Sequence, residues 1–216
     1  MKNRWIAGVV GIVALAFTGC QKDPLKNLTA SESRIYITNR DSSLDFSSFK
    51  TFSVADSVLV IQDGQGGGKA LTDYDAAMVS ALKAALVKRG FQEVDRSASP
   101  DLGFNISRVY STSTGVISYP SYWRDYGSYY DPYYWGYGGY SYYDPSYYGP
   151  SYYDVYQVTE GALTIDGLNL KDAKTGNTIR PVWSAVARGT SVFNTGNSNS
   201  EVQSFIDQSP YLVKNN

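Results

Sequence analysis

The chain has 216 residues, with 19 basic against 20 acidic side chains, a formal net charge of −1, no histidine and one cysteine. Near-neutrality argues against a nucleic-acid partner, which wants a basic stripe, and the length allows one ordinary domain with extras. Without histidine the usual neutral-pH proton shuttle and the commonest metal ligand are missing, and a single cysteine excludes an intramolecular disulfide.

The first residues read "MKNRWIAGVVGIVALAFTGCQKDP". Lys2 and Arg4 make a short basic region, and Trp5 to Phe17 is an uncharged, mostly apolar run too short to span a bilayer. Thr18 and Gly19 then precede Cys20. The stretch resembles a bacterial lipoprotein signal peptide over residues 1–19, with Phe17-Thr18-Gly19-Cys20 as its lipobox. The resemblance implies cleavage before Cys20, acylation of that residue (palmitate among its chains) and anchoring in a membrane. Gln21 stands where an inner-membrane retention signal would place Asp, which favours the outer membrane. "QKD" at 21–23 leaves a periplasm-facing and a surface-exposed pose both open. Residues 20–33 read as the lipidated cysteine and its tether.

From Arg34 the pattern becomes that of a folded domain, expected over 34–214. "RIYIT" (34–38) alternates as a strand, and "DFSSFKTFSV" (45–54) leads into a second with Phe52 and Val54 on one face. "SVLVI" (57–61) either continues the sheet or covers its edge, and "QDGQGGG" (62–68) reads as a flexible loop. "TDYDAAMVSALKAALVKRGF" predicts a helix. Thr72 and Asp75 have capping-box spacing, Met78, Leu82, Ala85 and Leu86 form an apolar stripe, and Gly90 suits the left-handed C′ position. "PDLGFNISRVY" (100–110) resumes alternation, with Leu102, Phe104 and Ile106 on one side.

"GALTIDGLNLKDA" (161–173) places Leu163 and Ile165 on one face but Leu168 and Leu170 on the other, which predicts a β-bulge near Asp166-Gly167. "KTGN" (174–177) reads as a hairpin turn with Gly176 at a positive-φ position. Pro181 in "NTIRPVWSAVARGTSV" suggests an edge or a bulge, and "SNSEVQSFIDQSP" a capped helix with Val202, Phe205 and Ile206 inward. The expected fold is α+β, a two-layer sandwich of an antiparallel sheet and two helices, with an insert between two strands.

"LDFSSFKTFSV", "LVKRGFQEV", "PDLGFNIS" and "GALTIDGLNLKDAKTGNTIRPVWSAVARG" resemble the lipoprotein family called domain of unknown function 4136. The likeness runs from Arg34 to Pro210, and its most specific part is the Asp-Ala-Lys-Thr-Gly turn followed by Trp183 and "ARG". It implies a lipobox and an aromatic-rich insert. The family has no established activity, so it implies no catalytic residues.

Catalytic motifs are scarce. A P-loop would need Gly at 63 and Ser or Thr at 70, where Asp63 and Ala70 stand. With no histidine and an acylated cysteine, Ser-His-Asp, Cys-His and histidine-zinc chemistry drop out. A pair of carboxylates remains open, but no motif selects one among the twenty acids. Asp131, Asp144 and Asp154 are too widely spaced for a calcium loop and read as turn initiators. Trp183 on an alternating strand reads as core rather than ligand platform. No cofactor and no metal is expected.

The insert, residues 119–156, holds sixteen of the twenty tyrosines with Trp123 and Trp135, and Val155 is its one aliphatic residue. Asp-Pro and Gly-Pro steps break it every few residues, so long helices and strands do not fit. Lacking aliphatics and rich in hydroxyls that need partners, it reads as exposed rather than as core. Arg124 against Asp125, Asp131, Asp144 and Asp154 makes it acidic, which disfavours nucleic acid and anionic lipid. Three readings stay open: a low-complexity loop, a recognition surface, or a segment at the membrane interface. As a surface, its candidate contacts are Tyr122, Trp123, Tyr133, Tyr134, Trp135, Tyr147 and Tyr148.

The sequence thus points to a non-catalytic, lipid-anchored envelope protein with the insert as contact surface for an envelope protein or glycan. The alternative is a carboxylate-based hydrolase acting on envelope or extracellular glycans.

Overall fold

The computed structural model describes residues 29, 32–62, 65–110, 114–118, 132–142, 153–157, 161–189 and 191–214. The signal segment, Cys20 and most of the tether lie outside them, as do Tyr122, Trp123, Asp131, Asp144, Tyr147 and Tyr148.

In chain order the elements are β1 (Ile35–Arg40), β2 (Thr51–Val54), β3 (Val58–Gln62), β4 (Gln65–Ala70), α1 (Asp73–Lys88), β5 (Gln92–Glu93) and β6 (Leu102–Tyr110). There follow β7 (Thr114–Ser118), β8 (Ser141–Tyr142), β9 (Tyr153–Gln157), β10 (Ala162–Asn169), α2 (Ala173–Gly176), β11 (Thr178–Arg188) and α3 (Ser198–Asp207). The fold is α+β, as the pattern of elements implies.

Local chemistry sets the ends of α1. Thr72 Oγ1 accepts from the Asp75 amide at 3.3 Å, and the Asp75 carboxylate accepts from the Thr72 amide at 2.8 Å, a complete capping box. At the other end Gly90 takes φ +91°, its amide donating to Val87 O and that of Phe91 to Leu86 O, a Schellman closure that folds Phe91 onto the core. Met78, Leu82 and Leu86 lie fully inside. The last helix, α3, starts differently from expectation. Asn197 makes no side-chain cap; a 3-10 turn, Thr195–Asn197, runs straight into the helix, and Ser198 Oγ donates to Thr195 O at 3.0 Å.

The main sheet runs β1-β11-β10-β6-β2-β5, with β3 pairing both β6 and β4. It is mixed rather than purely antiparallel. β2 and β3 both run parallel to β6, one beside its first half and the other beside its second, and β5 runs parallel to β2. Parallel pairing follows from the connection: the chain leaves the edge, crosses through α1, and returns in the same direction. The stretch read as a flexible loop is instead part of this edge. Gln65–Ala70 forms β4, antiparallel to β3 with Gln62 opposite Gln65.

The bulge falls on β11 beside Pro181, one of the two places that proline suggests, and opposite the Asp166-Gly167 position expected on β10. Gly167 sits opposite Trp183 and Leu168 opposite Pro181, leaving Val182 of β11 without a partner. The extra residue lets Val182 and Trp183 both join the helical-side core, while Ile179 faces the other way. The β10–β11 turn is a single helical turn, α2, and the left-handed residue is Asn177, at φ +51°, rather than Gly176. A helical turn needs that conformation at the residue after it, which moves the requirement one position on.

Both faces of the sheet are buried. On the helical side Phe52, Phe104, Ile106, Leu163, Ile165 and Trp183 pack under α1 and α3. On the other, Ala55, Leu59, Ile61, Val109, Leu168, Leu170 and Ile179 gather into a second core with Trp135 and Tyr137 of the insert. Leu168 and Leu170 therefore need no bulge to become buried: each face has its own core.

Candidate binding surface

The second core is built from the residues least expected there. After the Asp131-Pro132 step the chain makes a 3-10 turn, Pro132–Trp135, closed by Gly136 N to Tyr133 O at 3.0 Å and Tyr137 N to Pro132 O at 2.9 Å. Gly136 and Gly139 supply the positive φ values, +80° and +84°, that fold the next residues back. The turn then joins the main sheet through β8, which pairs in parallel with the start of β11 (Ser141 opposite Thr178).

This geometry drives Trp135 onto β6. Its side chain is only 3% exposed, and the indole lies over Gly103, where an added Cβ would stand 3.1 Å from Trp135 Cζ2 and 2.8 Å from Leu170 Cδ1. Gly103 is thus the gap that admits the ring. Gly103→Ala is expected to cost roughly 1–3 kcal/mol by overpacking, read as a lower denaturant midpoint at unchanged slope. Tyr137, 6% exposed, donates its hydroxyl to Leu170 O at 2.9 Å. That bond answers the objection to burying tyrosine: the hydroxyl finds a backbone acceptor at the core's rim. The expectation that these aromatics stay exposed is therefore corrected for Trp135 and Tyr137, because the missing aliphatics come from β3, β10 and β11 rather than from the insert.

Tyr134 is clamped at the edge. Its hydroxyl accepts from the Asp56 amide at 3.0 Å, and Lys69 Nζ and Arg96 Cζ stand 4.6 and 4.5 Å from the ring centre. Its ring meets Trp135 edge-on at 5.0 Å. Burial pushes the hydroxyls of Tyr134 and Tyr137 above the ordinary tyrosine range, so both stay neutral. Tyr133 points the other way, 72% exposed, its ring against the Gly138 backbone where any Cβ would clash. The candidate contacts thus divide: Tyr133 faces solvent, Tyr134 is half-buried, and Trp135 is a core anchor.

Trp183 is core. It is buried, meets Phe104 edge-on at 6.0 Å and donates from Nε1 to Ser209 Oγ at 2.9 Å. A further cluster carries no sequence motif. Glu201 of α3, 0% exposed, accepts from the Tyr74 hydroxyl at 3.0 Å and pairs with Arg34 Nη1 at 3.7 Å. Beside it Asp75, also buried, pairs with Arg108, Nε lying 2.9 Å from Oδ1 and Nη2 donating to Oδ2 at 3.1 Å. Only the register of β6 against α1 and of α3 against β1 brings these groups together, so no spacing along the chain could have found them.

On the rim between β1 and the β10–β11 turn, a polar depression of about 340 Å³ is lined by Asp41, Ser43, Asn169, Asp172, Thr178 and Arg180, among others. Asp41 accepts from Ser43, and Asp172 from Asn169 Nδ2. Among the described residues no group of three or more acidic or cysteine side chains could hold a metal ion, and no helix is long and apolar enough to cross a membrane.

Known proteins bear this architecture. A crystal structure of a DUF4136 family protein from Bacteroides thetaiotaomicron is similar, with 27% identity and a TM-score of 0.66, over 84% of this chain and 98% of that one. Two likenesses are too distant to bear on function. The dodecameric PelC of Paraburkholderia phytofirmans has 10% identity and a TM-score of 0.39, over 85% of this chain and 99% of that one. A PDZ domain protein from Parabacteroides distasonis has 13% identity and a TM-score of 0.42, over 83% of this chain and 36% of that one. No curated protein matches the chain. The profile of the family described as "Domain of unknown function (DUF4136)" matches residues 37–211, most of the chain, and the protein therefore belongs to the DUF4136 family.

Proposed function

We propose that this DUF4136 protein is a lipid-anchored component of the outer membrane, held through acyl chains on Cys20, whose domain works by binding rather than catalysis. The observation that carries the reading is the division of labour in the insert. Trp135 and Tyr137 fasten the segment to the sheet, and Tyr133 is held out to solvent against a glycine. A rigid aromatic ring on a fixed backbone gives contact area at small entropic cost, the property that makes tyrosine effective in recognition surfaces. An envelope protein or a glycan face are the partners this chemistry suits.

The placement of the unusual acids also favours binding over hydrolysis. Asp75 and Glu201 are engaged by Arg108, Arg34 and Tyr74 and are both buried inside the helical layer. A glycosidase needs its two carboxylates facing a bound sugar.

Two measurements test the reading. Cys20→Ala is expected to abolish palmitate incorporation and move the protein out of the membrane fraction. Tyr133→Ala is expected to change stability by less than about 0.5 kcal/mol, as an exposed substitution should, while reducing crosslinking to envelope partners in intact cells. Unchanged crosslinking in that variant sinks the contact surface; glycan cleavage by the purified protein would establish the hydrolase instead.

A further inference from the structure

Where the chain enters the domain it meets a buried ionic contact that the proposed function does not use. We propose that the Arg34–Glu201 pair is a pH-sensitive latch, which holds the start of the domain at Arg34 against α3 while Glu201 is ionised and releases it on protonation.

The geometry is that of a contact held by charge alone. Glu201 Oε2 has the Tyr74 hydroxyl, but Oε1 has no hydrogen-bond donor and stands 3.7 Å from Arg34 Nη1. Arg34 is 11% exposed, and neither its Nε nor its Nη1 reaches an acceptor. A proton on Glu201 leaves the Tyr74 contact in place and removes the attraction for Arg34. The guanidinium is then a desolvated cation with no counter-charge, and it relaxes by moving into water. The way out is short, because Arg34 directly precedes β1.

The other charged and titratable groups around the pair leave the role to Glu201. From α1, Tyr74 donates to Glu201, while Asp75 is taken by Arg108 of β6, whose Nη1 donates in turn to the Tyr110 hydroxyl. From β1, the Tyr36 ring packs on Phe205 while its hydroxyl lies beside the pair, hydrogen-bonded to Arg34 and within reach of the Glu201 charge; burial raises it above the usual range, so it stays neutral and gives Arg34 no counter-charge. From β11, Arg188 stands opposite Ile35 and has partners of its own. Burial raises the Glu201 carboxyl to about 7 against the opposing pull of Tyr74 and Arg34, so the change falls near neutrality.

The described residues that lead into Arg34 are tied to one another: Ser33 N donates to Thr29 O at 3.0 Å, and Glu32 and Thr29 exchange hydrogen bonds. Ser33 and Arg34 rest on Gly189, at φ +117°, where an added Cβ would stand 2.5 Å from Ser33 O. Gly189→Ala should therefore displace the same residues at every pH.

The test is hydrogen–deuterium exchange of the full-length protein at pH 5.5 and pH 8, corrected for intrinsic rates and followed over residues 29–40. The wild type is expected to lose roughly tenfold protection at the lower pH in this segment alone, with α1 and β6 unchanged. Arg34→Met and Glu201→Gln should each remove the pH dependence, and Gly189→Ala should show low protection at both. Equal protection of the wild-type segment at the two pH values overturns the proposal whether or not any variant folds. So does a loss spread over the whole sheet.

Discussion

Trp135→Ala is expected to destabilise the protein by roughly 3–5 kcal/mol and to lower Tm by roughly 10 °C, the effects of emptying a well-packed aromatic site in a chain of this size. The ring lies over Gly103 close to Leu170 and meets Tyr134 edge-on, so truncation opens a void in the second core. Trp135→Phe should cost far less. It keeps most of the packing and removes an indole N–H that has no partner in the second core. Paired denaturant titrations of the two variants check this. A tract that is tolerated filler would make Trp135→Ala nearly silent, within about 0.5 kcal/mol of wild type. A lower slope in the alanine variant would show that the insert has undocked.

Raising the pH from 5 to 8 is expected to reduce folding stability by up to about 3 kcal/mol, through Glu201. Its carboxyl goes from an ordinary 4.5 to about 7 in the folded protein, where it is fully buried. A group whose folded value is raised binds its proton more tightly in the native state. Its stabilising contribution is complete below about 4.5 and is lost as pH climbs through about 7. Other shifted acids do not blur this window. Hydrogen bonds from Ser47, Ser97 and Thr29 hold Asp45, Asp95 and Glu32 below the carboxylate range, so their effects appear only in more acid solution. The shifted tyrosines titrate only above their ordinary 10. Glu201→Gln should flatten the profile between pH 5 and 8, as read from the urea midpoint at each pH. Acidification would then firm the fold as a whole while loosening its first residues, a pairing that nonspecific acid unfolding would not produce.

What could be read in the sequence was chiefly local. Thr72, Asp75 and Gly90 specify the ends of α1 through hydrogen bonds within a few residues, and the apolar stripe between them has nowhere to go but onto a sheet. The strand faces were equally plain where one side is apolar, as with Leu102, Phe104 and Ile106. Mistakes arose where the answer depends on a distant partner. Pro181 signalled the bulge on β11, but the parity change at Asp166-Gly167 signalled it on β10 as well, and Val182 carries it because the register is set by both strands together. "QGGGKA" forms β4 because β3 offers an open edge, although glycine has little strand preference of its own. Trp135 and Tyr137 looked exposed because their own segment lacks aliphatics; their partners are twenty-five or more residues away in sequence. Glu201 with Arg34, and Asp75 with Arg108, are meetings of separate elements that no spacing announces.

The docked turn at residues 132–142 has a consequence for how the insert can vary. Its two ends are held by different strands: Trp135 sits over Gly103 of β6, and Ser141 pairs with Thr178 of β11. The path from one contact to the other is fixed by the positive-φ residues Gly136 and Gly139, so its length has little slack. Adding or removing one residue between Trp135 and Ser141 should therefore break one of the two attachments, so this turn must keep its size for the second core to stand.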